Sequence, residues 1–149
     1  MVERIPTFSD TNSMIKHLEG YRETTYQCQG GVKTIGYGHT GQDVKDGMTI
    51  TKEQAEKLFL QDLKECQGYV GRTFQSIPLK ENQIGSLVSF CFNLGQGNMD
   101  KSTLKRRMLG GEDPNTVTRE EFPRWNKVKG KESTGLTRRR SIEVAHFCK

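Results

Sequence analysis

One short stretch, LEGYRETTYQCQGGVKTIGYGHT from Leu18 to Thr40, gathers a carboxylic acid, a thiol and a hydroxyl: Glu19, Cys28 and Thr34. Met14, Ile15 and Leu18 recur at helical spacing and Gly20 follows where helices commonly stop, which predicts that Glu19 sits in a last helical turn. The C-terminal end of a helix carries partial negative charge. That charge disfavours an ionised carboxyl and pushes its pKa upward, more so when the group is partly desolvated. A carboxylic acid kept protonated near neutral pH is suited to give a proton to a leaving oxygen. The plainer reading of the same residues is a solvated glutamate beside a helix cap. Cys28 precedes the turn signal Gln29, Gly30, Gly31, which leads into an expected strand from Val32 to Thr40. Alternation along that strand puts Ile35, Tyr37 and His39 on one face, and Thr34, Gly36, Gly38 and Thr40 on the other. A face of two glycines between hydroxyls reads either as a floor for a polar ligand or as a bend or bulge.

The elements that must position these groups follow in chain order. Met1 to Phe8 reads as a loosely held arm, and Ser9, Asp10 or Thr11 can cap the helix ending at Glu19. The hairpin region runs from Tyr21 to about Gly47. Thr51 and Gln54 make a capping box that opens the clearest helix of the chain. Ala55, Leu58, Phe59, Leu63, Cys66, Tyr69 and Val70 form its apolar face, and Asp62 falls on that face, where an unpaired charge is costly. After Pro78, the apolar stretch Ile84–Leu94 reads as a central helix ending at Gly95. GQGN then leads to a helix with Leu104, Met108 and Leu109 as its inner face. Gly110, Gly111, Asp113 and Pro114 break the chain, and the remainder reads as short helices carrying Phe122, Trp125, Val128, Leu136, Ile142, Val144 and Phe147. Trp125 reads as core or as a sugar platform. Cys66 and Cys91 read as small core residues or a disulfide, and Cys148 stays open. Arg138, Arg139 and Arg140 cannot all face inward.

Glu19, eight residues, Cys28, five residues and Thr34, set in EGYRETTY and TIGYGHT, resemble the phage-type lysozymes, the endolysins of glycoside hydrolase family 24. ITKEQAEKLFLQD (Ile50 to Asp62), FNLGQGNMDKSTL (Phe92 to Leu104) and GLTRRRSIE (Gly135 to Glu143) resemble later blocks of that family in the same order. The similarity runs roughly from Met14 to Cys148. The best-known members carry Asp where this chain has Cys28, and a cysteine variant is also familiar in the family.

The resemblance implies an α+β, lysozyme-like fold as a single domain over residues 1–149. A small β-hairpin lobe (roughly 20–50) is joined by a connecting helix (51–72) to a larger helical lobe (8–19 plus 73–149), with the active-site cleft between them. It implies hydrolysis of the β-1,4 bond between N-acetylmuramic acid and N-acetylglucosamine in peptidoglycan, with Glu19 as general acid and Cys28 and Thr34 on the water side. Hydrolysis of this kind needs an acid on the leaving oxygen and a second group opposite it. A free thiol has a pKa of about 8.5, so Cys28 reads as thiolate base, as nucleophile or as positioning group. The resemblance further implies sugar contacts from Thr40, Phe92, Asn93 and Thr103, a structural salt bridge of His39 with Asp62, and an arginine of the Arg138–Arg140 run near the acid. It implies no metal and no cofactor. A lytic transglycosylase and a non-catalytic wall-binding module of the same fold are the rival readings.

Composition bounds these readings. The 149 residues are 32% hydrophobic and 28% charged, enough for one core without staples. No apolar run long enough for a membrane span or signal peptide is visible, so the expectation is synthesis in a host cytoplasm, release through a holin, and action on periplasmic peptidoglycan. The net charge of +5 favours acidic partners, the anionic wall or outer-membrane lipopolysaccharide. No zinc spacing or nucleic-acid motif accompanies that charge, which argues against nucleic acid. A monomer is the default.

Overall fold

In the computed structural model, residues 8–27 and 31–149 are described. The expected helix before Gly20 is α1, Thr11–Glu19, capped by Asp10, whose carboxylate accepts from the Ser13 backbone N–H at 2.9 Å. Its buried residues are Met14 and Ile15, and Gly20 closes it by donating to Lys16 O. β1, Arg22–Gln27, and β2, Lys33–Gly36, pair antiparallel, with Tyr26 opposite Thr34 and a slip in register between Arg22 and Tyr26. On its other edge β1 bonds to the 48–50 segment, where Thr25 N donates to Met48 O and Ile50 N to Glu23 O.

The strand expected from Val32 to Thr40 is shorter than its alternation suggests. It stops at Gly36, and the chain folds back so that Ile35 and His39 exchange both backbone hydrogen bonds, at 3.0 and 2.9 Å. Gly36 and Gly38 have φ of 65° and 73°, a left-handed geometry that lets so tight a return form. The bend expected as the alternative for this face is therefore what forms at Gly36 and Gly38. A Cβ on Gly36 would sit 3.3 Å from Ala55, so that glycine lets the hairpin lie against the connecting helix.

That helix is α2, Lys52–Thr73, which opens with the Thr51/Gln54 capping box and buries Ala55, Phe59, Leu63, Tyr69 and Val70. α3, Glu81–Leu94, is the centre of the helical lobe: Gly85 through Cys91 are all buried, between α2 on one side and the last helix on the other. Ile84, at its start, is 40% exposed. α4 (Gln96–Asp100), α5 (Thr103–Leu109) and α6 (Pro114–Glu121) complete the lobe. Leu104 and Met108 face inward as expected, but Leu109 is 45% exposed. It is the last residue before the Gly110 stop and has rotated off the inner face.

The final third departs most from a series of short helices. A 3-10 turn, Phe122–Arg124, leads into a second hairpin, β3 (Lys127–Val128) and β4 (Lys131–Glu132). α7 is then a full 14-residue helix, Thr134–Phe147, capped by Ser133. Phe90 of α3 stacks on Phe122 at 4.2 Å, and Trp125 meets Phe90 edge-on at 6.2 Å. Trp125 thus packs against the core as one of the large aromatic contributors to it. Cys66 and Cys91 are free thiols on the facing sides of α2 and α3. The Cys66 thiol donates to Cys91, and this bond with burial pushes its pKa up.

Candidate active site

Glu19 ends α1 with its side chain only 13% exposed, so its carboxylate needs a partner. Oε1 accepts from Arg139 Nη1 at 2.7 Å, a contact between residues 120 positions apart. Arg139 is itself buried. Its Nε donates to Glu143 Oε2 at 3.2 Å and its Nη2 to the Ser89 carbonyl at 3.1 Å, while Ser89 Oγ donates to the same Glu143 oxygen at 2.5 Å. Burial alone would weaken the charge on Arg139, but Glu19 and Glu143 outweigh it and hold the guanidinium protonated more firmly than usual. Arg140 follows on the neighbouring face of α7. It donates to Asn93 Oδ1, lies 3.2 Å from Glu143 Oε1 and stands over the Phe90 ring at 5.0 Å. Burial pushes its pKa down to about 10, with Glu143 opposing and Arg139 adding to the shift.

Two of the three arginines therefore face inward, in keeping with the expectation that not all three could; which of them meets the acid was left open. Arg138 is the exposed one. The signal lay in the sequence: Arg139 to Glu143 is i,i+4 and Arg140 to Glu143 is i,i+3, spacings that bring side chains together on one helix face. Glu143 and Ser89 are the site residues that reading missed.

Gly38 comes up against Glu19 from the small lobe. A Cβ there would stand 2.8 Å from the carboxyl carbon of Glu19, so only glycine admits the acid at this distance. Grooves open on both sides of this junction. One, of about 420 Å³, is lined by Leu18, Glu19, Tyr26, Asn93, Val128, Leu136 and Arg138. The other, of about 250 Å³, is lined by Gly38, Thr40, Asp62, Cys66, Cys91 and Phe92. A larger hollow of about 560 Å³ lies away from the acid, between Asp10, Gln67, Asn82 and His146.

Of the residues singled out in the sequence, Glu19 and Asn93 thus share one groove, and Thr40 and Phe92 share the other. Thr34 is 3% exposed and lines neither; its hydroxyl donates to the Val32 carbonyl at 2.9 Å. Thr103 also lines neither, because it opens α5 and its hydroxyl accepts from Arg106 Nη2 at 3.0 Å. Cys28 lies outside the described residues. His39 Nδ1 is 2.7 Å from Asp62 Oδ2, and its Nε2 is 2.9 Å from Asp43 Oδ2. Burial opposes the charge on His39, but the two carboxylates overcome it and raise its pKa. Asp62 is raised by burial in spite of His39, whereas the more exposed Asp43 is lowered by its bond to His39.

The phage lysozyme family model matches residues 16–143. The chain belongs to the phage lysozyme family. It is 36% identical over 138 residues to the endolysin of Acyrthosiphon pisum secondary endosymbiont phage 1, covering 90% of this chain and 92% of that one. It is 37% identical over 137 residues to the endolysin of Bacillus phage B103, covering 91% of this chain and 51% of that protein, so it spans about half the length of that relative. Among solved structures, the muramidase domain of SpmX from Asticaccaulis excentricus superposes with a TM-score of 0.79 at 31% identity, covering 98% of this chain and 99% of that one. The mixed architecture of a small antiparallel hairpin on a helical lobe is that of this phage lysozyme group.

Proposed function

We propose that the protein is a peptidoglycan hydrolase of the muramidase type, cleaving the β-1,4 bond between N-acetylmuramic acid and N-acetylglucosamine. The observation that carries this reading is the Glu19 carboxyl, fixed by Arg139 through one oxygen and set at the junction of two grooves. Oε2 takes no hydrogen bond among the described residues, which leaves that oxygen to take up a proton when substrate binds and pass it to the leaving glycosidic oxygen. Positioning by a buried guanidinium saves the acid from having to find its geometry during the reaction.

The groups assigned to the water side are Cys28 and Thr34. Thr34 gives its proton to the Val32 carbonyl; turned toward the sugar it would release that bond, and its hydroxyl would then orient a water. Cys28 serves as base, as nucleophile or as a positioning group. Thr40 and Phe92 line one arm of the cleft and Asn93 the other, where sugars on either side of the scissile bond would lie. Thr103 would contact a sugar only beyond these two grooves. Among the described residues no helix is long and apolar enough to cross a membrane. With this activity go release by a separate holin and action on periplasmic peptidoglycan as a monomer.

Turbidity clearing of permeabilised Gram-negative cells, with wild type and Glu19→Gln side by side, tests the reading. Loss of a general acid removes about 10²–10⁴ of the rate, so the variant should be all but inactive while still binding the wall. New reducing ends should accompany clearing by the wild type. Anhydromuramic ends would make the protein a transglycosylase, and an active Glu19→Gln variant would overturn the assignment. Alkylation of Cys28, or its replacement by Ala, separates a reacting thiol from a bystander in the same assay.

A further inference from the structure

The hollow of about 560 Å³ on the helical lobe shares no lining residue with either groove beside Glu19, and no step of the hydrolysis above uses it. It opens where the start of α1 meets the start of α3 and the end of α7, with Gln67 of α2 completing its wall. Thr11 lines it at one end of α1, and Glu19 lines a groove at the other, about 12 Å along the helix axis. The volume falls within the range of small-molecule sites, about 300–1,000 Å³.

Its wall holds polar groups whose hydrogen bonds are incomplete. His146 is 5% exposed; its Nε2 is 3.3 Å from Thr11 Oγ1, and its Nδ1 is buried with no partner among the described residues. A buried polar atom left so is costly until something meets it. Burial, with Lys149 adding to it, pushes the His146 pKa down, so the ring is neutral near pH 7. Asn82 spends its Nδ2 on the carbonyls of His146 and Phe147, at 3.1 Å each, which fixes its side chain and leaves Oδ1 to accept. The charges narrow the ligand. Lys149 is the one cation among the described lining residues, and it already donates to the Phe8 carbonyl, while Asp10 and Glu81 repel an anion. Both Asp10 oxygens are engaged by Ser13, so Glu81 alone would face a cation. Ile84 and Val88 are too little apolar surface for an acyl chain. A neutral ligand rich in hydroxyls and amides is the class that remains.

We propose that this hollow is a second glycan site, which takes an N-acetylated hexosamine unit of the polymer away from the bond being cut. The inference rests on the muramidase reading above for the identity of that polymer. The Gln67 and Asn82 carboxamides and the His146 ring supply donors and acceptors for hydroxyl and acetamido groups. Ile84, 40% exposed at the start of α3, meets the C–H face of the sugar ring. An insoluble mesh offers many strands at once. Holding one of them at the hollow makes each new capture by the cleft an event at high local concentration.

The test titrates chitotetraose into isotope-labelled Glu19→Gln protein, which keeps the oligomer whole, and follows backbone amides by NMR. Amides near Gln67, Gly85 and His146 should shift with their own Kd, apart from those near Thr40 and Phe92 in the cleft. Adding Ile84→Arg, at an exposed position, should erase the first group and keep the second. Gln67→Ala, also exposed, should weaken the first group about fivefold, the scale of one lost hydrogen bond. Cellotetraose, which lacks the acetamido groups, should move the hollow amides less. With Glu19 restored, Ile84→Arg should raise KM on insoluble sacculi about tenfold or more and leave the rate on short soluble fragments unchanged. Cleft amides that shift while the hollow amides stay still, or a KM on sacculi that Ile84→Arg does not move, overturns the second site and leaves the muramidase reading intact. Shifts at the hollow alone, with no cleavage by the wild type, overturn the muramidase reading and keep the site.

Discussion

The two flanks of Glu19 are built on opposite principles. On the helical side, Arg139, Arg140, Glu143 and Ser89 form a network with almost no exposure, and each buried charge has an opposite one beside it. On the hairpin side the ladder is short and slips in register, and its ion pairs, His39 with Asp62 and Asp43, are partly open to water. A buried network is costly to break, because removing one member strands the others away from solvent. A half-exposed pair is cheaper to lose, since water and salt replace part of it. The difference teaches that the position of the acid is fixed by the helical lobe, whereas the small lobe that bears Thr34 is held to it more lightly. One side is preorganised and the other can adjust to a polymer.

The sharpest way to break this contrast is Glu143→Gln. Arg139 and Arg140 would then share only Glu19 as a buried countercharge, and Arg140 is already the one of the two for which burial outweighs the neighbouring carboxylates. The expected loss is about 3–5 kcal/mol, on the order of 10 °C in Tm. Thermal unfolding followed by calorimetry or circular dichroism measures it. A loss no larger than that of an exposed pair would mean the network does not anchor the acid.

Gly38→Ala probes the junction between the flanks. The new Cβ would take up a strained φ of 73° and push on a carboxyl that Arg139 holds in place. Strain at this position costs about 1–2 kcal/mol. Displacing a reacting group by an ångström lowers rates by as much as about 10², so kcat/KM should fall far more than Tm. If activity and Tm fell in step, Gly38 would be a folding residue and the hairpin would play no part in placing the acid.

What could be read from the sequence follows the range of the interactions. Glu19 at a helix end was legible because Met14, Ile15, Leu18 and Gly20 are local signals, and Thr51 with Gln54 announced α2 for the same reason. The family motifs placed the fold. The strand past Gly36 was misread because alternation cannot express two glycines with positive φ. Leu109 was misread because seven residues define a helical phase poorly. β3 and β4 were missed since two-residue strands show no alternation and Lys-Gly is a weak turn signal. Which arginine meets Glu19 depends on how α7 docks on α3, and spacing within one helix cannot fix that. The pairing of Arg139 and Arg140 with Glu143 needed only i,i+3 and i,i+4 counting, and was legible in principle.

The smallest effect, and the one that tests the lightly held flank, is the pH dependence of Asp62→Asn. His39 has a folded pKa raised above its ordinary 6.5, so its contribution is complete below that value and is lost as pH rises through the folded one. Asp43 is lowered from 3.8, so its share is present above that value and disappears only as pH falls through the depressed one. Burial raises Asp62 and works the other way, costing stability as pH climbs past 3.8 and offsetting part of the gain. The cluster should therefore stabilise most between about pH 4 and 6.5 and fade above the folded value of His39. Removing the Asp62 charge should cost about 1–2 kcal/mol at pH 5.5, between the exposed and fully buried limits for an ion pair, and progressively less toward pH 9. Tm measured for both proteins across that range checks it. The curves should converge as His39 loses its proton, while the Glu143→Gln deficit, set by arginines that stay charged, should persist throughout. A constant gap for Asp62→Asn would mean that His39 is held as a neutral ring, and the two flanks would then differ in packing alone.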